Sequence, residues 1–188
     1  MKIHITGGDG YIGRNIFESL RNKHQISKSD IQDLDVLNKD LLIESFKEDT
    51  PEIIIHLAGL MGAQQSKLDL HKTFSVNSLG LLNVLEAARL TGVKNMIFFS
   101  SLTVHGAQND NNKKVSEDDI FSPTHPYATS KVIGEYILSD YSKYFKINSV
   151  ILRPTIVVGN FSGEDNALNE FTKSAFNDET IVIYGDGS

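Results

Sequence analysis

The stretch TGGDGYIG sets Gly7, Gly10 and Gly13 three residues apart, between a strand-like run, KIHI (2–5), and a helical-period run, YIGRNIFESLRNK (11–23). Glycines at that spacing let a strand turn sharply into a helix and let the helix pack closely on the strand. The helical run carries Ile12, Ile16, Phe17 and Leu20 at the spacing of one buried face. Three further runs, EIIIHLA (52–58), NMIFFSS (95–101) and NSVILRP (148–154), are continuously apolar, as strands buried on both faces of a parallel sheet are. Long helical segments at 74–92, closed by Gly92 as a C-cap, and at 126–145 separate them. The order β-α-β-(α)-β-α-β-α-β predicts an α/β fold, a doubly wound parallel sheet with helices on both faces.

A chain of 188 residues can bury one substantial core. Its net charge of −6 argues against a nucleic-acid surface, which needs clustered Lys and Arg. The absence of cysteine excludes disulfides, thiolate–metal sites and a cysteine nucleophile, and fits a cytoplasmic protein. The apolar stretch IIIHLAGLMGA, from Ile53, is too short to span a membrane, and MKIHITGGDG has no signal-peptide core. None of the six histidines has metal-ligand spacing with acids. Two polar stretches, 105–126 and 159–166, read as surface loops.

The glycine turn points to a Rossmann-type dinucleotide site. Its helix would offer free N–H groups and a positive dipole end to a pyrophosphate. A glycine-rich β–α turn with no ligand is the alternative, and the strand before and helix after favour the dinucleotide. Asp9 is discordant, because a carboxylate inside a phosphate loop repels the ligand unless its side chain points away. Asp30, seventeen residues after Gly13, stands where an acid would hold the adenosine ribose hydroxyls. An acid there favours NAD over NADP; Lys28, two residues earlier, works against that preference. A solvated loop aspartate would look the same. Asp35 offers a second polar contact, to the adenine.

With the glycine turn, HLAG, VNSLGLLNVLEAAR, SSLTVHG, YATSK and LRPTIVVG in this order, the chain resembles the extended short-chain dehydrogenase/reductase family. More closely it resembles the NAD-dependent epimerase/dehydratases that act on nucleotide sugars. The resemblance implies that Gly7, Gly10, Tyr11, Ile12 and Gly13 hold the pyrophosphate, that Asp30 takes the ribose, and that Asp35 and Val36 lie at the adenine. Leu57, Ala58 and Gly59 match the segment after the family's fourth strand, which lines the cofactor. Asn77 matches the asparagine of VNxxG beside the catalytic lysine. Ser100 and Ser101 match the serine pair ending the fifth strand, where Ser101 or Thr103 would hydrogen-bond the reacting sugar hydroxyl. Tyr127 and Lys131 match the catalytic YxxxK, with Lys131 also reaching the nicotinamide ribose and Pro154 close to the nicotinamide. His56 reads as a satisfied core histidine. His105 replaces the usual tyrosine of VYG and is given no chemical role.

The chemistry explains why such residues are needed. Free tyrosine, with a pKa near 10, is a poor base at neutral pH, and lowering it by about three units takes roughly 4 kcal/mol of phenolate stabilisation. A lysine at i+4 on the same helix face can supply positive charge. The Asp-Glu pair that dehydratases of this type use is replaced by Leu102 and Thr103, and the cysteine of 3,5-epimerising relatives is missing. A 4-epimerase-like cycle of transient oxidation and reduction is favoured. A keto-sugar reductase or dehydratase, or a non-catalytic NAD(P)-binding module, is the alternative.

The chain closes on IVIYGDGS, and in the family a GDG of this kind opens the region that clamps the sugar nucleotide. Residues 1–165 are therefore expected to form the NAD(P)-binding domain and 166–188 the start of an incomplete substrate-binding lobe. Such a chain should bind dinucleotide but turn a sugar nucleotide over slowly if at all. The resemblance also implies a homodimer through the helices bearing Asn77 and Tyr127. Core packing alone would account for most of Val132, Ile133, Tyr136 and Ile137.

Overall fold

A computed structural model describes residues 1–106, 114–160 and 167–183. Five parallel strands form the sheet: β1 (Lys2–Thr6), β2 (Gln25–Ser29), β3 (Ile53–His56), β4 (Asn95–Phe99) and β5 (Asn148–Leu152), in the spatial order β2-β1-β3-β4-β5. The helices are α1 (Tyr11–Leu20), α2 (Lys39–Asp49), α3 (Ala63–Leu68), α4 (Leu70–Phe74), α5 (Gly80–Thr91), α6 (Pro126–Phe145) and α7 (Ala167–Phe176). Parallel strands need crossover connections, and the long helices supply them.

Local chemistry sets the helix ends. Asn38 caps α2 by accepting from the Leu41 amide, and His125 caps α6 by accepting from the Ala128 amide, with Pro126 in the first turn. Gly92 ends α5 in the left-handed conformation, as the sequence predicts. The segment read as one helix over 74–92 has more detail. It enters through α4, passes a π-helical turn at Ser75–Leu79 and continues as α5.

Helices lie on both faces, as expected. Leu42 and Phe46 of α2, Leu81, Val84 and Leu85 of α5, and Leu138 and Tyr141 of α6 pack over Ile54, Met96 and Phe98. On the other face, Ile16, Phe17 and Leu20 of α1 cover Ile3, Ile5 and Ile55. Two expectations need correction. The run at 148–154 does not behave as a strand buried on both faces. β5 is the edge of the described sheet, with Val150 53% and Leu152 40% exposed. Only three strands, rather than four, lead up to HLAG. After β2 the chain turns instead of extending, because Asp33 accepts from the Asp30 and Leu34 amides and Asp35 from the Leu37 amide.

Residues Met1–Val157 form one compact unit and a second begins at Val158, with α7 as its described helix. The boundary expected between 165 and 166 lies outside the described residues, as do the GDG at 185–187 and part of each expected loop, 107–113 and 161–166. Among the described residues, no helix is long and apolar enough to cross a membrane.

One buried ion pair fastens α6 to the sheet. Arg153, just past β5, donates from Nη2 to Glu135 Oε2 at 2.6 Å and from Nε to Oε1 at 2.9 Å, with Glu135 only 4% exposed. Removing one partner leaves a buried charge uncompensated and costs about 3–5 kcal/mol, whereas an apolar pair of similar volume can be neutral. In urea denaturation, Arg153→Leu should therefore lose stability on that scale. The Glu135→Leu/Arg153→Leu double variant should recover most of it. Additive losses would show that the pair is not coupled.

Candidate active site

In each of the five strands the residues that follow the carboxyl end are candidates: Gly7 after β1, Asp30 after β2, Leu57 to Gly59 after β3, Ser100 and Ser101 after β4, Pro154 after β5. Parallel strands bring these ends to one edge of the sheet. The chain switches direction between β1 and β3, where open α/β sheets leave a crevice for ligands.

The glycine turn is packed against the end of β3. Gly7 has φ +71°, and a Cβ there would lie 2.6 Å from the Ala58 nitrogen; one at Gly13 would lie 2.5 Å from the Gly7 carbonyl oxygen. Both positions exclude a side chain. Gly10 begins α1 without a side-chain cap, and no acid stands in its first turn. The first amides of α1 are thus open to an anion, and the cradle fits a pyrophosphate. Ile12 is half-buried beside it, and the Tyr11 hydroxyl donates to the Val157 carbonyl at 3.3 Å. Asp30 is tied to the turn, since its Oδ2 accepts from the Asp9 amide at 3.0 Å. Asp9, the discordant acid, turns its carboxylate onto Lys28. Val36 differs from Asp35 in kind: its side chain belongs to the core, against Gly80, and its carbonyl accepts from Asn83 at 3.0 Å.

The proton-handling candidates meet at the other side of the crevice. Lys131, 5% exposed, donates to the Phe99 carbonyl at 2.8 Å and lies 5.8 Å from the centre of the Tyr127 ring. Burial lowers its pKa to about 8. Half-buried Tyr127 stacks on His125 with ring centres 6.0 Å apart. Asn77, in the π-helical turn, clamps the loop after β3: its Oδ1 accepts from the Leu60 amide at 2.7 Å and its Nδ2 donates to the Leu60 carbonyl at 3.0 Å. The same amide reaches Ser130 Oγ at 2.9 Å, one residue from Lys131. Gly59 leaves room there, as a Cβ would sit 3.1 Å from Asn77 Oδ1 and 3.6 Å from Lys131 Nζ. Ser101 and Thr103 are paired, the Thr103 hydroxyl donating to Ser101 Oγ at 2.9 Å. Ser100 is separate, because its hydroxyl donates to Glu135 Oε1 in the buried network. The Pro154 carbonyl accepts from the Leu102 amide at 3.1 Å, which ties the β4 and β5 ends together.

Residues missed from sequence stand behind these. Glu135 and Arg153 anchor α6, and Arg153 Nη1 also lies 3.1 Å from His105 Nε2 and donates to the Glu117 carbonyl at 2.8 Å. An acid on the apolar KVIGEYIL face, one turn beyond Lys131, was the available signal. His56 is a core residue, 2.8 Å from Thr6 Oγ1 and stacked on Phe98, and burial followed by the Lys131 charge lowers its pKa to about 3.

The NAD dependent epimerase/dehydratase family model matches residues 3–188. A UDP-glucose 4-epimerase from Mycolicibacterium smegmatis is 30% identical over 100% of this chain and 67% of its own. A dTDP-D-glucose 4,6-dehydratase from Dictyostelium discoideum is 28% identical over 99% and 50%. The crystal structure of a UDP-glucuronic acid 4-epimerase from Bacillus cereus, in complex with UDP-glucuronic acid and NAD, superposes with a TM-score of 0.84 at 26% identity, covering 100% of this chain and 67% of that one. The chain thus spans between half and about two thirds of the length of these relatives.

Lys131 gives the site a pH signature. Folded, it loses its proton near pH 8; unfolded, near the ordinary 10.5, so the unfolded chain binds more protons between those values. Stability contributed by Lys131 therefore falls as pH drops from 10.5 to 8. Relative to Lys131→Met, the wild type should gain up to about 3 kcal/mol on raising pH through that window. Urea denaturation of both proteins at several pH values checks this, and parallel curves would contradict it.

Proposed function

The chain belongs to the NAD dependent epimerase/dehydratase family, and we propose that it carries the NAD-binding and proton-transfer half of a nucleotide-sugar 4-epimerase. The observation that supports this reading is the buried Lys131 Nζ lying 5.8 Å from the centre of the Tyr127 ring while donating to the Phe99 carbonyl at the end of β4, the strand that Ser101 and Thr103 follow. NAD, when bound, supplies hydride acceptance and return; the protein supplies placement and proton transfer.

In this reading the α1 amides and Gly7, Gly10 and Gly13 hold the pyrophosphate, and the Asp30 carboxylate accepts from the adenosine ribose hydroxyls. Asp35 and the Val36 backbone face the adenine, and Leu57, Ala58 and Gly59 line the path to the nicotinamide, with Pro154 opposite. Tyr127 takes the proton of the sugar hydroxyl and later returns it. The Lys131 ammonium favours the phenolate, and its burial makes that charge act through low dielectric. The Ser101–Thr103 hydroxyl pair orients the reacting hydroxyl before the proton moves. Asn77 and Ser130 hold the Lys131 segment of α6 against the loop after β3. Ser100 serves the same end indirectly, through Glu135.

Epimerisation is favoured over dehydration because elimination of water needs acid and base groups after Ser101, and Leu102 and Thr103 have none to offer. We assign residues 1–165 to cofactor binding and 166–188 to the beginning of the sugar-nucleotide region.

Calorimetric titration should give tighter binding of NAD than of NADP. Tyr127→Phe should leave NAD affinity within about twofold and, in a chain extended through the whole substrate-binding region, should slow interconversion of UDP-glucose and UDP-galactose by roughly 10²–10⁴-fold, the usual contribution of a positioned acid or base. Unchanged conversion in Tyr127→Phe would refute the catalytic assignment.

A further inference from the structure

Asp9 is an odd residue for its position, since an acid in a phosphate-binding turn opposes the ligand. Its surroundings give it another task. The Lys28 side chain is pinned from three directions at the end of β2. Its Cβ lies where a Cβ on Gly8 would come within 2.5 Å, so the bare glycine makes room for its stem. Its Nζ lies 5.3 Å from the centre of the Phe17 ring and pairs with Asp9 Oδ1. The Asp9 amide, in turn, donates to Asp30 Oδ2 at 3.0 Å. One ammonium and two carboxylates thus share the point where β2 ends and the glycine turn passes.

We propose that Asp9 is a selectivity residue: it serves as the counter-ion of Lys28 and so keeps this cation from supporting a phosphate at the ribose 2′ position. The proposal rests on the dinucleotide reading above and deepens it. In a site of this type the acid after the second strand meets the ribose 2′-hydroxyl, and a basic residue nearby accommodates a 2′-phosphate. Asp30 is the acid and Lys28 the available base. With Asp9 present, the three side chains sum to one negative charge, and a dianionic phosphate is repelled. With Asp9 neutral they sum to zero, and the ammonium keeps its place through Gly8 and Phe17. The Lys28 contact also holds the Asp9 carboxyl below its ordinary pKa, so Asp9 stays charged at neutral pH. Both side chains are substantially exposed, 52% for Asp9 and 36% for Lys28, so the effect is screened by salt.

The test is titration of NAD and NADP, at low ionic strength, into the wild type, Asp9→Asn, Lys28→Met and the double variant, each checked by circular dichroism for an unchanged fold. Asp9→Asn should raise NADP affinity by roughly three- to tenfold, the scale of a partly exposed charge pair, with NAD affinity changed less than about twofold. The gain should shrink with added salt and disappear in the double variant. Lys28→Met alone should lower the NADP to NAD ratio below that of the wild type, because the Asp9 and Asp30 carboxylates then face the 2′ position without a cation. An unchanged ratio in Asp9→Asn, or a gain that survives in the double variant, would overturn the counter-ion role while leaving the dinucleotide site standing. Failure of all four proteins to bind either nucleotide would overturn the dinucleotide reading, and this proposal with it.

Discussion

The ion pair of Arg153 with Glu135 joins pieces of chain that are far apart in sequence and must be close together for the site to exist. Glu135 lies on α6, eight residues after Tyr127, and Arg153 follows β5. Ser100 at the end of β4 donates to the same carboxylate, and His105 lies against the same guanidinium. The guanidinium also covers the Phe121 ring, 5.1 Å from its centre, and holds the Glu117 carbonyl. A buried pair like this gives little net stability compared with apolar residues of the same volume. Its value is geometric, because a bidentate arginine accepts a carboxylate in few orientations. The rotation of α6, and with it the aim of Tyr127 and Lys131, follows from that choice.

On the other side of the crevice, steric exclusion does the corresponding work. Gly7 allows the turn after β1 to touch the backbone of Ala58 after β3, and Gly13 allows α1 to touch the turn at Gly7 and Gly8. Thr6 and His56, the last residues of those strands, are hydrogen-bonded to each other below that contact. One wall of the crevice is therefore held by close backbone contact and the other by a buried polar network. Both are ways to hold a site on the scaffold rather than on a loop.

Much of this was legible in the sequence, and the parts that were not have a common cause. Period and punctuation revealed β1, α1, the end of α5 and α6, because Gly92 marks a helix end locally and apolar periodicity marks the rest. The glycine spacing revealed the sharp turn and the close packing of α1, but not the approach of Gly7 to Ala58, which depends on β1 pairing with β3. The π-helical turn around Asn77 was not legible, since its hydrogen bonds differ from a helix by tertiary demand: Asn77 must reach Leu60 and Ser130 at once. Nor was the exposure of β5, because NSVILRP reads as apolar whichever place it takes in the sheet. Asp9 is discordant in the motif for the same reason, and which way its side chain points is not legible locally. Its partner, Lys28, is nineteen residues away and arrives only when β2 pairs with β1.

Lys131 shows how these constraints serve one another. Burying an ammonium is costly, and its lowered pKa records that cost. A freer side chain would relieve it by moving toward water. Here the Phe99 carbonyl and the Phe98 ring, 5.0 Å from Nζ, hold it in place, and the absence of a Cβ on Gly59 leaves it room on the crevice side. The protein thus keeps a buried charge that is costly on its own, with the Asn77 clamp and the Arg153 anchor holding the helix that carries it. Local destabilisation balanced by a surrounding network is what preorganised chemistry requires, and neither part has an evident purpose without the other.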